Sequence, residues 1–335
     1  MRRIMAACAA SLLLYNVLFA CVLDRPLTLG ALRARIEANL AYGAAIAGPK
    51  LVILAGSNGP YSHRCQIIAP LIGRPCVNAG VAVGVGLDYL FARWQPLLHP
   101  GDIVYLPLEE AQYARPWATA ALGPDAAIML RHDRATLATM PLHRQVAALF
   151  VFDLRGAIMS LIETALADTH FHDPRQAVTG STNAMGDHVG HTAALGAANR
   201  AVLAAAVPYH PTADEVRAGY GTRVVRDFLR WAGSHGVRVI GGLPTGFIDS
   251  PIDPGALTAI RALYRYEGAG FLDLPNHSRY PRSAFFDTPD HLNEAAQIRH
   301  SVAVARALVR LTERPAMADC RQCAHDGGVS DARAH

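Results

Sequence analysis

Apolar residues follow two spacings along this chain, and the two alternate. Short, mostly apolar runs at 51–55, 75–77, 102–106, 237–240 and 270–272 are too brief for helices and read as buried strands. Between most of them, apolar residues recur three or four apart, at 66–72, 86–97, 213–234 and 253–266, with a last such segment at 293–312. That spacing predicts helices with one face turned inward. Strands alternating with helices call for a parallel sheet covered on both faces. The expected fold class is therefore α/β, a three-layer sandwich around a central parallel sheet.

Two regions depart from the alternation. Residues 4–23 are uncharged and interrupted only by Ser11, Tyr15 and Asn16, behind Arg2 and Arg3. About 20 such residues span a bilayer as a helix, and arginines ahead of them keep the N-terminus in the cytoplasm. Residues 1–23 thus read as a signal anchor, as a cleaved signal peptide, or, through Leu18-Phe19-Ala20-Cys21, as a lipoprotein signal. Each reading sends the rest of the chain to an extracytoplasmic, periplasmic compartment. Residues 24–49 follow as a helical stalk or first layer, and 50–312 form the α/β domain. The second departure is an insertion at about 116–211, whose centre, 143–168, has a long helical pattern and whose end, 169–192, is rich in Gly, His and Asn. It reads as a lid or substrate-binding element, or as helices that thicken the fold. Residues 313–335 are polar and irregular and predict a disordered tail.

Composition narrows the function classes. Apolar residues make up 51% and charged residues 17%, which excludes a disordered or coiled-coil chain. The formal charge is +4, yet Lys50 is the one lysine and no basic run appears, so a nucleic-acid partner is not expected. Of the cysteines, Cys65 with Cys76 and Cys320 with Cys323 lie close enough to pair in an oxidising compartment, although spacing alone does not fix connectivity. Cys320-x-x-Cys323-x-His325 supplies too few ligands for a closed zinc site. His170, His172, Asp187, His188 and His191 in the insertion have ligand-like spacing, but an open His-rich loop more often faces solvent. His172, Asp173 and Asp187 also suit hydrogen bonds to sugar hydroxyls. No metal and no cofactor is assigned.

Three segments carry chemistry. The run 51–55 leads into Gly56-Ser57-Asn58-Gly59, which delivers Ser57 to the carboxyl edge of the sheet, where ligands of open α/β sheets bind. Backbone N–H groups at such a turn stabilise an oxyanion. Val77-Asn78-Ala79-Gly80 follows the next strand and offers a second N–H donor at Gly80, with Asn78 holding the loop. Finally, Phe285-Phe286-Asp287-Thr288-Pro289-Asp290-His291-Leu292-Asn293 sets two carboxylates ahead of a histidine. A serine hydroxyl needs a base to take its proton, and the base works best when an acid fixes its tautomer.

In this order the three segments resemble the SGNH/GDSL hydrolase superfamily, in its membrane-anchored, extracytoplasmic branch of alginate and cellulose acetylation and DltD-like proteins. The likeness covers roughly 50–115 and 235–312. It implies a flavodoxin-like sheet with Ser57 as nucleophile, Gly80 as oxyanion donor, His291 as base and Asp287 as its acid. Two departures matter. The superfamily's usual acid position, three before the histidine, is Thr288 here, which leaves Asp287 or Asp290. Its third block, Gly-x-Asn-Asp, is replaced by Leu106-Pro107-Leu108-Glu109-Glu110, so the oxyanion site loses a side-chain amide unless Asn58 or Asn78 substitutes. The resemblance implies ester chemistry, as esterase or O-acyltransferase, on acyl (acetyl) groups of a cell-surface polysaccharide, with a membrane acyltransferase as partner and the inner membrane as anchor. The other reading is a non-catalytic accessory or scaffold subunit of a polysaccharide modification or export complex.

Overall fold

The computed structural model describes residues 1–22, 29–151 and 181–313. The expectations for 152–180, including His170, His172 and Asp173, and for the tail with Cys320, Cys323 and His325, lie outside the described residues.

All five expected strands form: β1 (Leu51–Ile53), β2 (Cys76–Asn78), β3 (Ile103–Leu106), β4 (Arg238–Gly242) and β5 (Gly270–Leu272). They build one parallel sheet in the order β2-β1-β3-β4-β5. In register, Val52 stands beside Val77 and Val104. Because successive strand residues point to opposite faces, Val52, Leu54, Val77, Val104 and Leu106 feed one core, and Leu51, Ile53, Cys76, Ile103 and Tyr105 the other. Helices Leu29–Ala44, Leu87–Trp94, Tyr220–Ser234 and Pro254–Tyr266 cover the first face, and Cys65–Ile72 and Glu294–Glu313 the second.

Leu29–Ala44 buries Ile36 and Leu40 in the first core, so this segment belongs to the helical layer and does not stand apart as a stalk. The described front of the insertion, four short helices within 117–148, is likewise fixed. Ile128 and Met129 lie in the same core. Arg144, fully buried, pairs with Asp125 and, at 2.9 Å, with Asp88 on Leu87–Trp94. A buried charge cluster of this kind resists separation, so this part of the insertion packs as one with the helical layer. The expected helix 213–234 is broken into Ala213–Ala218 and Tyr220–Ser234. The chain there runs hard against 112–114: a Cβ on Gly219 would stand 2.0 Å from the Tyr113 carbonyl oxygen, and one on Gly221 1.7 Å from that of Gln112.

Cys65 and Cys76 are joined in a disulfide, tying Cys65–Ile72 to β2. At the same amino end of the sheet, before the inner strands β1 and β3, Lys50 Nζ meets Asp102 at 2.8 Å, both completely buried. The N-terminal segment is helical over Arg2–Val22, with Ile4, Leu12, Leu13 and Leu14 exposed. Among the described residues, no helix is long and apolar enough to cross a membrane.

Candidate functional site

The carboxyl ends of β1, β2 and β3 run into three loops that converge. Three glycines let them touch: a Cβ on Gly59 would lie 2.9 Å from the Gly80 Cα, and one on Gly80 2.8 Å from the Gly56 carbonyl oxygen. The Ser57 turn and the Gly80 turn, read separately in the sequence, are thus a single floor. Ser57 caps the short helix Asn58–Ser62 and is partly exposed, while its neighbours Gly56 and Asn58 are buried.

The segment 285–292 is closed as a narrow loop. Phe285 bridges to Leu292, and the Phe286 N–H donates to the His291 carbonyl at 2.8 Å. Within it, His291 Nδ1 and Asp287 Oδ1 are 2.7 Å apart. Of the two candidate acids, Asp287 is therefore the one that touches the imidazole. The Asp290 carboxyl faces the charges of His291, Glu110, Arg279 and His210 instead, and burial pushes it up to about 6.

This loop is locked to the Ser57 helix. Tyr61, one turn after Ser57, stacks on the His291 ring at 4.0 Å and 8°. The Ser62 hydroxyl donates to the Asp290 carbonyl at 2.8 Å, and Thr245 does the same. Gln297, on the last helix, donates to the Pro60 carbonyl at 2.6 Å. Serine and histidine therefore occupy the same end of the sheet, joined through Tyr61. The Ser57 side chain makes no capping hydrogen bond to the helix it precedes.

Three expectations are corrected by the geometry. Asn58 and Asn78 do not offer free amides to an oxyanion. The Asn58 amide donates to the Pro107 carbonyl at 2.7 Å, and that of Asn78 to the Gly59 and His63 carbonyls at 3.1 and 2.9 Å. Both are fully buried and hold the loops together, which leaves Gly80 from the expected donor set. The Asp187 carboxylate, grouped in the sequence with ligand-like and sugar-binding residues, is committed inside the protein: it accepts from the Cys65 and Gln66 N–H groups at 2.7 and 3.0 Å, where it caps the start of a helix. Among the described residues no group of three His, Cys, Asp or Glu side chains could hold a metal. His191 is buried, and burial together with His188 pushes it down to about 4.

Two features were missed in the sequence. Glu109 lies beside Gly56, its Oε1 being 2.6 Å from where a Cβ would stand. Second, Ser250 Oγ, His210 Nε2, His210 Nδ1 and Glu110 Oε2 form a continuous relay at 2.8 and 2.7 Å. No spacing signals it, because its members come from three distant segments. Its surroundings suit structure more than catalysis. The Ser250 N–H is spent on the Phe247 carbonyl at 3.2 Å, and Glu110 is also held by Arg279 at 2.8 Å.

In comparisons with protein-family models, curated proteins and solved structures, no family model, curated protein or solved structure matches this chain.

Proposed function

We propose that this chain is an SGNH-type serine acyl esterase or O-acyltransferase acting on acetyl or related acyl esters of a cell-surface polysaccharide. The observation that carries the reading is the Asp287–His291 hydrogen bond of 2.7 Å, on a loop fastened to the helix that Ser57 begins. The strand order 2-1-3-4-5 is the one found in flavodoxin-like sheets, whose ligands sit at the carboxyl edge; it supports the same reading.

The chemistry follows from the groups present. His291, its tautomer set by Asp287, takes the Ser57 proton as Oγ bonds to the acyl carbon. Backbone N–H groups at Ser57 and Gly80 stabilise the oxyanion. As the carbonyl reforms, the ester C–O bond breaks, and His291 passes its proton to the departing sugar hydroxyl. Water then releases the acyl group from Ser57, or a second sugar hydroxyl takes it. Anchoring at the inner membrane by residues 1–23, an extracytoplasmic site, and a membrane acyltransferase as donor partner belong to this proposal; the Cys65–Cys76 disulfide supports an oxidising compartment.

The second reading, an accessory subunit without catalysis, is favoured by the replacement of the Gly-x-Asn-Asp block by Leu106-Pro107-Leu108-Glu109-Glu110. Release of para-nitrophenol from its acetate ester separates the two. The enzyme reading expects turnover that falls at least about 10³-fold in Ser57→Ala and stays within twofold in Ser250→Ala. Equal rates for the intact protein and Ser57→Ala support the accessory reading instead.

A further inference from the structure

The loop after β3 puts a carboxyl group where the SGNH pattern has a side-chain amide. Glu109 Oε1 lies against Gly56, the residue before Ser57, and is buried with no hydrogen-bond partner of its own, while the rest of the carboxyl forms a capping box with Gln112 at the start of helix Glu110–Ala114. The groups facing it come from three segments. Asp290, on the His291 loop, and Glu110 beside it are like charges; Arg115 and the Asn58 N–H pull the other way. Burial is the largest influence, followed by Asp290, and together they push Glu109 up to about 8. Asp290 sits lower, at about 6. Two neighbouring carboxyls in a poorly solvated site do not both ionise readily, and burial together with Asp290 favours the neutral form of Glu109. A protonated carboxyl is a hydrogen-bond donor. With the Asn58 and Asn78 amides already spent on backbone carbonyls, an O–H at Oε1, the carboxyl oxygen without a partner, is the side-chain donor left beside Gly56 and Ser57.

We propose that Glu109 is a catalytic residue of this site and, as a neutral acid, donates its O–H to the acyl oxygen while Ser57 attacks. The proposal rests on the Ser57 reading above. No proton changes hands in the step. The O–H of Glu109 hydrogen-bonds to the oxygen as negative charge gathers there, and the acid keeps its proton when the carbonyl reforms. A carboxylic acid kept neutral by burial is an effective donor to an oxyanion, whereas its ionised form repels that charge.

The direction of pH dependence follows. Donation requires the proton, so kcat/KM of the intact protein falls as pH rises through about 8. Ester turnover by wild type, Ser57→Ala, Glu109→Ala and Glu109→Gln, measured from pH 5 to 10 with the uncatalysed rate subtracted, tests this. Glu109→Ala is expected to lose about 10²–10³-fold in kcat, as for removal of one oxyanion donor. Glu109→Gln, nearly the same shape, donates through its amide and cannot ionise. It is expected to keep activity within about tenfold and to lose the alkaline fall. Infrared spectroscopy with labelled glutamate reads the proton directly, as a neutral-carboxyl band at pH 7 that is absent in Glu109→Gln. The inference alone is overturned if Ser57→Ala is inactive yet Glu109→Ala matches wild type, if Glu109→Gln keeps the alkaline fall, or if that band is missing. Wild-type rates in Ser57→Ala overturn the serine reading and this inference with it.

Discussion

Asp287 and Asp290 lie three residues apart, yet their surroundings assign them different tasks. Asp287 is partly exposed and bonded to the imidazole; Asp290 is turned toward Glu109, Glu110 and Arg279. Asp287→Asn is accordingly expected to lower kcat by about 10³–10⁴, because an amide stabilises the wrong histidine tautomer. Asp290→Asn is expected to cost less than tenfold and to lower the pKa of Glu109, since a neighbouring negative charge is gone. Steady-state ester kinetics across pH compares the two. The Asp287–His291 pair was legible in the sequence because four residues within one loop keep two side chains in reach. Glu109 was not, because its meaning lies in Gly56 and Asp290, which are 53 and 181 positions away along the chain, and no spacing announces an encounter made by the sheet.

At the level of elements, each strand of the five-stranded sheet appears where a short apolar run predicted it, since a strand buried in the middle of a parallel sheet has little polar side to disguise it; the two-residue strands at 181–182, 188–189, 246–247 and 279–280 had no such run to announce them. The error at 213–234 has a different origin. Helical periodicity continues through Gly219 and Gly221, and what interrupts the helix is the backbone of 112–114 pressed against it, a tertiary fact invisible to local pattern. Gly221→Ala should therefore destabilise the protein by about 1–3 kcal/mol or more, as overpacking does, although alanine is the better helix former. A lowered urea midpoint would report it, and unchanged stability would show that the two segments separate easily. The Cys65–Cys76 bond acts at the same scale, tying a helix to β2. Substituting serine at both positions is expected to cost about 2–4 kcal/mol, read in the same denaturation experiment.

Across the whole molecule, buried histidines make stability depend on pH. His63 and His300 meet between the two ends of the chain, 3.3 Å apart, and burial pushes His63 down to about 4 and His300 below its ordinary value. His191 is also near 4. Their folded values lie below the unfolded value of about 6.5, so the unfolded chain binds more protons as pH falls from 6.5 towards 4. Stability is lost over that window, by at most about 1.4 kcal/mol per pH unit for each histidine. Urea midpoints at pH 7 and pH 5 check this, and His63→Gln should flatten the slope. A midpoint that rises on acidification would contradict it. The same joining of early and late segments has a consequence for biogenesis. Gln297 grips Pro60, and Ser62 grips the carbonyl next to His291, so the loop of the proposed base is fastened to the helix of the proposed nucleophile only after the terminal helix has docked. A polypeptide still emerging from a ribosome or a secretion channel carries its serine without its proposed proton acceptor, and the proposed reactivity waits for the docking of the last helix.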